Sequence, residues 1–412
     1  MKKKIIIGSS IFLILLVAFV CVSLAPRNTK SLDQEVVFWT LQMNDFTPYM
    51  TDIIAKFEYE NPDIKIKWID VPFSEGEKRT LAAILSNNPP SLVNLNPDFS
   101  SVLAQKGALE EIMPEQLEPF NKSLLKSLEV NGKMYAIPWY ATSAVTIYNK
   151  ALLEKAGFKI PPTTYEAMGK YALDVKAKTG AYVFMPTITE NDTMLKILNK
   201  YDINTPYALK THDSIEIFDF YKQLYKDDLI PKESINQTHR ESLEKYMSEY
   251  IVSIQAGANF LNLIKENAPN VYKKTDVSTQ LVGSEGQYDF SLMNFVIPKR
   301  AKNKEAALKF ALYLTNEENQ LRLAKLTNVL ATNENALKNE YYQKYDKNDI
   351  LAKARVISAQ QLNKVEPVLK QQKSQKEINN VINTATQLIL VDNVDTKKVL
   401  DSASKKWSKL IE

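Results

Sequence analysis

The chain has 412 residues, 45% hydrophobic and 24% charged, and its 52 basic and 48 acidic side chains leave a net charge of +4. That length supports two or three domains around a large core, and the mixed, near-balanced charge offers no basic face for nucleic acid. The single cysteine, Cys21, excludes an intrachain disulfide. The two histidines, His212 and His239, have no companions at metal-ligand spacing and read as surface residues, and no GxxxxGKS run is present to cradle a nucleotide.

In chain order, Lys2-Lys3-Lys4 precedes an uncharged stretch over residues 5–25. A positive end before an apolar run is an export signal. Its length is also close to the ~20 residues that span a bilayer. Residues 1–25 are therefore expected to be a signal peptide or a membrane anchor. Ser23-Leu24-Ala25 has the form of a cleavage site, although Pro26 follows it. Cys21 ends a run similar to a lipidation box, except that Val20 stands where a small residue belongs. Cys21 is thus a possible lipidation site, with an inert membrane-buried thiol as the alternative. On each reading the protein faces outward, in the periplasm or tethered to the outer face of the cell membrane.

Residues 26–34 form a polar linker. Residues 36–39 read as a strand, and 45–59 as a helix with Phe46, Tyr49, Ile53 and Phe57 at helical spacing, ended by Asn61-Pro62. Residues 64–69 form a strand, 75–86 a helix, 91–96 a strand and 102–106 a short helix closed by Gly107. Strands alternating with helices predict βαβ units and a mostly parallel sheet. Asn131-Gly132 is a turn. Pro138-Trp139-Tyr140 reads as an aromatic loop, and 144–148 as a β-branched strand. Asn149 caps a helix closed by Gly157. Helices follow over 165–179, 193–199, 213–227, 242–249 and 260–266, with strands at 182–185, 250–255 and 291–297. Residues 304–325 read as one helix. Residues 352–361, 374–390 and 396–410 read as C-terminal helices.

The order G-K-x-Y-x-x-P-W from Gly132, then Tyr148-Asn149-Lys150 and Ala156-Gly157, resembles the central signature of carbohydrate-type extracellular solute-binding proteins of ABC importers. Phe57–Ile66 and Met293–Pro298 are similar to further segments of that family, in the same order. The resemblance implies an α/β, type II periplasmic-binding-protein fold with two discontinuous lobes and a ligand cleft between them. It divides the chain into residues 35–142 plus 295–332 and residues 143–294 plus 333–412, with lobe crossings near 143–147, 294–296 and Thr332. It implies a non-catalytic monomer that binds a carbohydrate, needs no cofactor or metal, and delivers its ligand to permease subunits of the importer.

A sugar presents hydroxyls at its edge and C–H groups on its face, so its site needs aromatic rings and planar polar groups. Candidates stand at strand ends. Trp39 is a ring for stacking or a core residue, and Asn44 and Asp45 are ligand groups or helix caps. Asn96 and Asp98 follow the third strand. Trp139 and Tyr140 form the expected stacking platform. Gly257 and Asn259 open a helix whose N–H groups face a ligand oxygen. Asn294 is a ligand group or a tie between hinge strands. Many family members have G-G-P-W where this chain has Ala256–Phe260, and fewer aromatics favour a short glycan over a long maltodextrin. Three alternatives stand beside transport: a glycan-acting enzyme using Asp45 and Asp98, a sensory role, and a different neutral solute.

Overall fold

The computed structural model describes residues 34–411, apart from 42, 44, 45, 190–192, 284, 285, 287, 363–373 and 393. The leader, Cys21, Asn44 and Asp45 lie outside the described residues. Strand β1 (Gln34–Leu41) buries Val36, Phe38 and Thr40 on one face and leaves the intervening residues more open. It pairs in parallel with β2 (Ile64–Val71) and β3 (Leu92–Leu95). Parallel strands need crossovers, and the helices Thr47–Glu60 and Phe73–Leu85 supply them. The hairpin of β4 (Glu129–Val130) and β5 (Lys133–Met134) turns on Asn131 and Gly132, at φ of 53° and 76°.

The next strand, β6 (Ile137–Asn149), runs unbroken through Pro138-Trp139-Tyr140, so the expected aromatic loop is strand. Its second half pairs with β7 (Ser253–Gly257) and β8 (Thr275–Ser278). Its first half pairs with β9 (Phe290–Val296) and β10 (Leu330–Ala331). All four pairings are antiparallel, and the sheet order is β10-β6-β9-β3-β1-β2. The sheet is therefore mixed rather than mostly parallel. A strand that carries the chain out of a lobe and one that carries it back must run in opposite directions.

Three further expectations change. The helix after β3 starts at Pro97, because Asn96 caps it and proline suits the first turn. Tyr182 makes an isolated bridge to Ile251 instead of a strand. Residues 304–325 form two helices, Lys304–Leu314 and Glu317–Thr327, broken where Asn316 accepts from the Asn319 amide at 2.8 Å.

Each lobe has two cores. Phe38, Trp139, Phe295 and Phe310 centre one beside β1, and Val93, Leu95, Leu292 and Leu330 centre its neighbour. In the other lobe, Leu198, Phe218, Ile382 and Trp407 form one core and Val145, Ile254, Tyr246 and Val277 the second. The helix Ile350–Leu362 spans the join. It sends Ala354 to a core of the second lobe and Ala359 and Leu362 to a core of the first, with Ala336 and Tyr342. The helices Gln375–Val391 and Thr396–Ile411 pack into the second lobe.

Candidate ligand-binding site

Where β6 passes between lobes its side chains alternate: Trp139, Ala141, Ser143 and Val145 are buried, while Tyr140, Thr142 and Ala144 are half-buried. Thr142 and Ala144 face a cavity of about 430 Å³. Ser291 of β9 stands opposite Thr142, and Gly257 of β7 stands opposite Ala144, so three strands meet at this wall. Both ends of Gln255 are tied: its Nε2 donates to Thr146 Oγ1 at 2.8 Å, and its Oε1 accepts from the Leu281 amide at 3.0 Å. The floor is apolar, built from Met168, Phe184, Ile197 and Leu281, all buried.

Tyr165 and His239 complete two sides. Burial, then the nearby Asp289 carboxylate, pushes the Tyr165 phenol well above its ordinary 10.0, so it stays a neutral hydroxyl. His239 packs edge-on against Phe260 at 5.3 Å between ring centroids. It was expected on the open surface, but the first turn of the helix His239–Met247 places it at the cavity. Asp289 lies at the rim, its carboxylate 3.1 Å from the Lys200 ammonium. An apolar floor under a rim of hydroxyls, amides, the Asp289 carboxylate and the Lys196 ammonium suits a compact polyhydroxylated ligand.

The expected site residues divide. Gly257 lies on the cavity wall. Asn259 stands beside it, since a Cβ on Gly257 would come within 2.6 Å of Asn259 Oδ1. Tyr140 is half-buried, stacks on Phe46 and donates its hydroxyl to Met43 Sδ at 3.7 Å. Trp39 is half-buried under the Arg79 guanidinium at 5.4 Å, and its Nε1 finds no hydrogen-bond partner among the described residues.

Trp139 corrects the expectation of a stacking platform. It is 0% exposed and stacks on Phe295 at 4.6 Å, so it presents no face to a ligand in this structure. Asn96 spends its carboxamide oxygen on the Phe99 amide at 2.8 Å, as a helix cap. Asp98 is exposed in the first turn of the same helix, where a negative charge complements the helix dipole. Asn294 is fully buried and ties β9 to β3: its carbonyl accepts from Asn94 Nδ2 at 3.3 Å and its Nδ2 donates to Ser100 Oγ at 3.4 Å.

Sequence reasoning missed Thr142, Gln255, Gln280, Asp289 and Ser291. Ser291 carried a signal, because it is a polar residue on the strand expected at 291–297, whereas Thr142 fell just outside the strand expected at 144–148. Gln255 and Asp289 carried none, because strand pairing and loop packing bring them together.

Comparison with known proteins agrees with this architecture. A binding protein of Brucella abortus is 26% identical over 313 residues, covering 72% of this chain and 75% of that protein. The multiple sugar-binding protein of Streptococcus mutans is 25% identical over 311 residues, 69% of this chain and 71% of its own. The crystal structure of a periplasmic-binding protein from Synechococcus sp. MITs9220 superposes with a TM-score of 0.82 at 27% identity, over 91% of this chain and 98% of that one. The family model for bacterial extracellular solute-binding proteins matches residues 52–349. The chain belongs to the bacterial extracellular solute-binding protein family.

Proposed function

We propose that the protein is a receptor that captures a short, neutral carbohydrate in the cavity beside β6 and delivers it to the permease of an ABC importer. The observation that carries this reading is the cavity itself, an apolar and aromatic floor beneath a rim of tied polar side chains at the strands that join the lobes. The sugar-binding relative in Streptococcus mutans supports the ligand class. The ligand stabilises the closed arrangement of the lobes, and its affinity reflects differential binding to the open and closed forms. Tyr140, Trp39 and Asn259 sit at or near the strands that would close on it.

The lobe limits 35–142 with 295–332 and 143–294 with 333–412 are supported by three cores that keep to them; in the fourth, Leu292 packs with the first lobe, and residues 336–362 contribute to both lobes. The N-terminal 25 residues tether the protein, as a monomer, at the outer face of the membrane. Among the described residues no helix is long and apolar enough to cross a membrane.

Isothermal titration against a panel of mono-, di- and trisaccharides tests the receptor reading. Saturable binding by at least one short sugar, with a raised melting temperature, is the expected result. A flat response across the whole panel refutes it. Mass analysis of the protein's N-terminal peptide separates a retained anchor from a cleaved or lipidated Cys21.

A further inference from the structure

Five side chains close a hydrogen-bonded ring behind the cavity wall. Lys200 is 2% exposed and donates from Nζ to Asp289 Oδ2 at 3.1 Å and to Gln280 Oε1 at 3.2 Å. Gln280 Oε1 also accepts from the Asp289 amide at 2.7 Å. The Gln280 amide donates to Gln361 Oε1 at 2.7 Å. Gln361 Nε2 donates to Ser143 Oγ at 2.9 Å and to the Ala144 carbonyl at 2.8 Å. Ser143 Oγ closes the ring by donating to the Asp289 carbonyl at 3.2 Å. Asp289 is thereby held at its amide, its carbonyl and one carboxylate oxygen.

Only two members of the ring, Asp289 and Gln280, line the cavity. The side chain of Asp289 is 38% exposed, so it can meet a ligand. Lys200 and Gln361 stay behind it, both about as buried as core residues. Stability does not explain a lysine there. Burying an ammonium is expensive, and a well-packed apolar side chain of similar length commonly does as well or better. Gln361 is likewise costly unless both ends of its amide are satisfied, and here both are.

We propose that Asp289 accepts hydroxyl donors of the ligand, and that Lys200 and Gln361 are positioning residues that fix its carboxylate. This rests on the carbohydrate-receptor reading given above. The ring also passes through Ser143 and Ala144 on the strand that joins the lobes. Rotation about that strand moves an anchor of the ring, so the orientation of Asp289 is linked to closure. A residue held at its amide, its carbonyl and one carboxylate oxygen before the ligand arrives loses little freedom on binding, which raises affinity.

The test uses the full-length protein with maltotriose and arabinotriose as probes, alongside single-residue hydrogen exchange on the ligand-free protein. Asp289→Asn, Lys200→Met and Gln361→Met should each weaken binding tenfold or more. Combining Lys200→Met with Asp289→Asn should add less than threefold, because both remove one interaction. Exchange at the Gln280 and Asp289 amides should quicken in Lys200→Met and Gln361→Met, without a matching change in the helices of either lobe. Gln361→Glu keeps the acceptor and should restore slow exchange at Gln280. Binding lost in Asp289→Asn but unchanged in Lys200→Met and Gln361→Met overturns the positioning roles. So do losses that multiply in the double variant. If neither probe binds the unaltered protein, the carbohydrate reading fails for these sugars, and the exchange measurement alone decides the ring. Unchanged exchange in both variants then overturns it.

Discussion

Gln320 Nε2 donates to the carbonyl of Trp139 at 2.6 Å, joining residues 181 positions apart. The register of β6 against β9 slips between Pro138 and Tyr140, which frees that carbonyl from the ladder. The same amide donates to Thr332 Oγ1 at 2.8 Å, and its oxygen accepts from the Thr332 and Asn333 amides at 2.7 and 2.9 Å. One buried side chain thus binds the crossing strand to the segment where the chain passes between lobes again. Gln320→Leu leaves the buried Thr332 and Asn333 amides without this acceptor and should destabilise the protein by about 2–4 kcal/mol. A urea denaturation midpoint close to that of the unaltered protein would show that the clamp contributes little.

Trp139 is a core residue, and its substitutions should behave accordingly. Trp139→Ala opens a cavity against Phe295 and should cost roughly 3–5 kcal/mol. Trp139→Phe keeps part of the packing and should lower the melting temperature less. Sugar affinity in Trp139→Phe should stay within a few-fold of the unaltered protein. Loss of binding at unchanged stability would return Trp139 to the ligand site.

Gly283 packs where only glycine fits. A Cβ there would lie 2.4 Å from the Lys200 carbonyl oxygen, a backbone atom that cannot step aside. Gly283→Ala should push the segment carrying Gln280 away from the end of the helix Thr193–Asn199. The expected cost is about 1–3 kcal/mol, read as a lowered denaturation midpoint. Sugar binding should weaken with it, because Gln280 and Leu281 line the cavity.

Glu249 anchors the far end of β6. It stands at φ 60° and accepts from Asn149 Nδ2 at 2.7 Å and from Lys274 Nζ at 3.1 Å. The Lys274 ammonium, aided by the Asn149 amide, holds its carboxyl below the ordinary 4.5 against the opposing effect of burial. A carboxyl whose folded value is depressed stabilises the fold at pH above its unfolded value and loses that contribution as pH falls through the folded value. The stability gap between the unaltered protein and Glu249→Gln should therefore be full at pH 6–7 and shrink on acidification below about 4.5. A gap that stays constant down to pH 3 would contradict this account.

Asn96 offers a cleaner separation of cap from ligand group. Asn96→Ala should cost about 1 kcal/mol, and Asn96→Asp should recover most of it. Equal sugar affinity in all three proteins, measured by titration, is the outcome the cap predicts.

Local patterns in the sequence determined which segments are strands and helices, because periodicity, caps and breakers act over a few residues. The strand at 64–69, the helix at 165–179 and the packed face of the C-terminal helices around Ile378, Ile382 and Trp407 all appear where spacing placed them. The order of family-like motifs was legible in the same way. What lies on which side of a strand was not. Trp139 and Tyr140 are neighbours in sequence, yet the first is fully buried against Phe295 while the second stays half-buried at the edge of the same core, its hydroxyl on Met43. Asp289, Gln280, Gln361 and Lys200 are scattered over more than 160 positions, and no local rule relates them. Only the tertiary structure brings them to one wall, because a buried ammonium and buried amides must find partners wherever the folded chain supplies them. The strand joining the lobes was therefore readable from sequence, and the ring that ties it to the cavity was not.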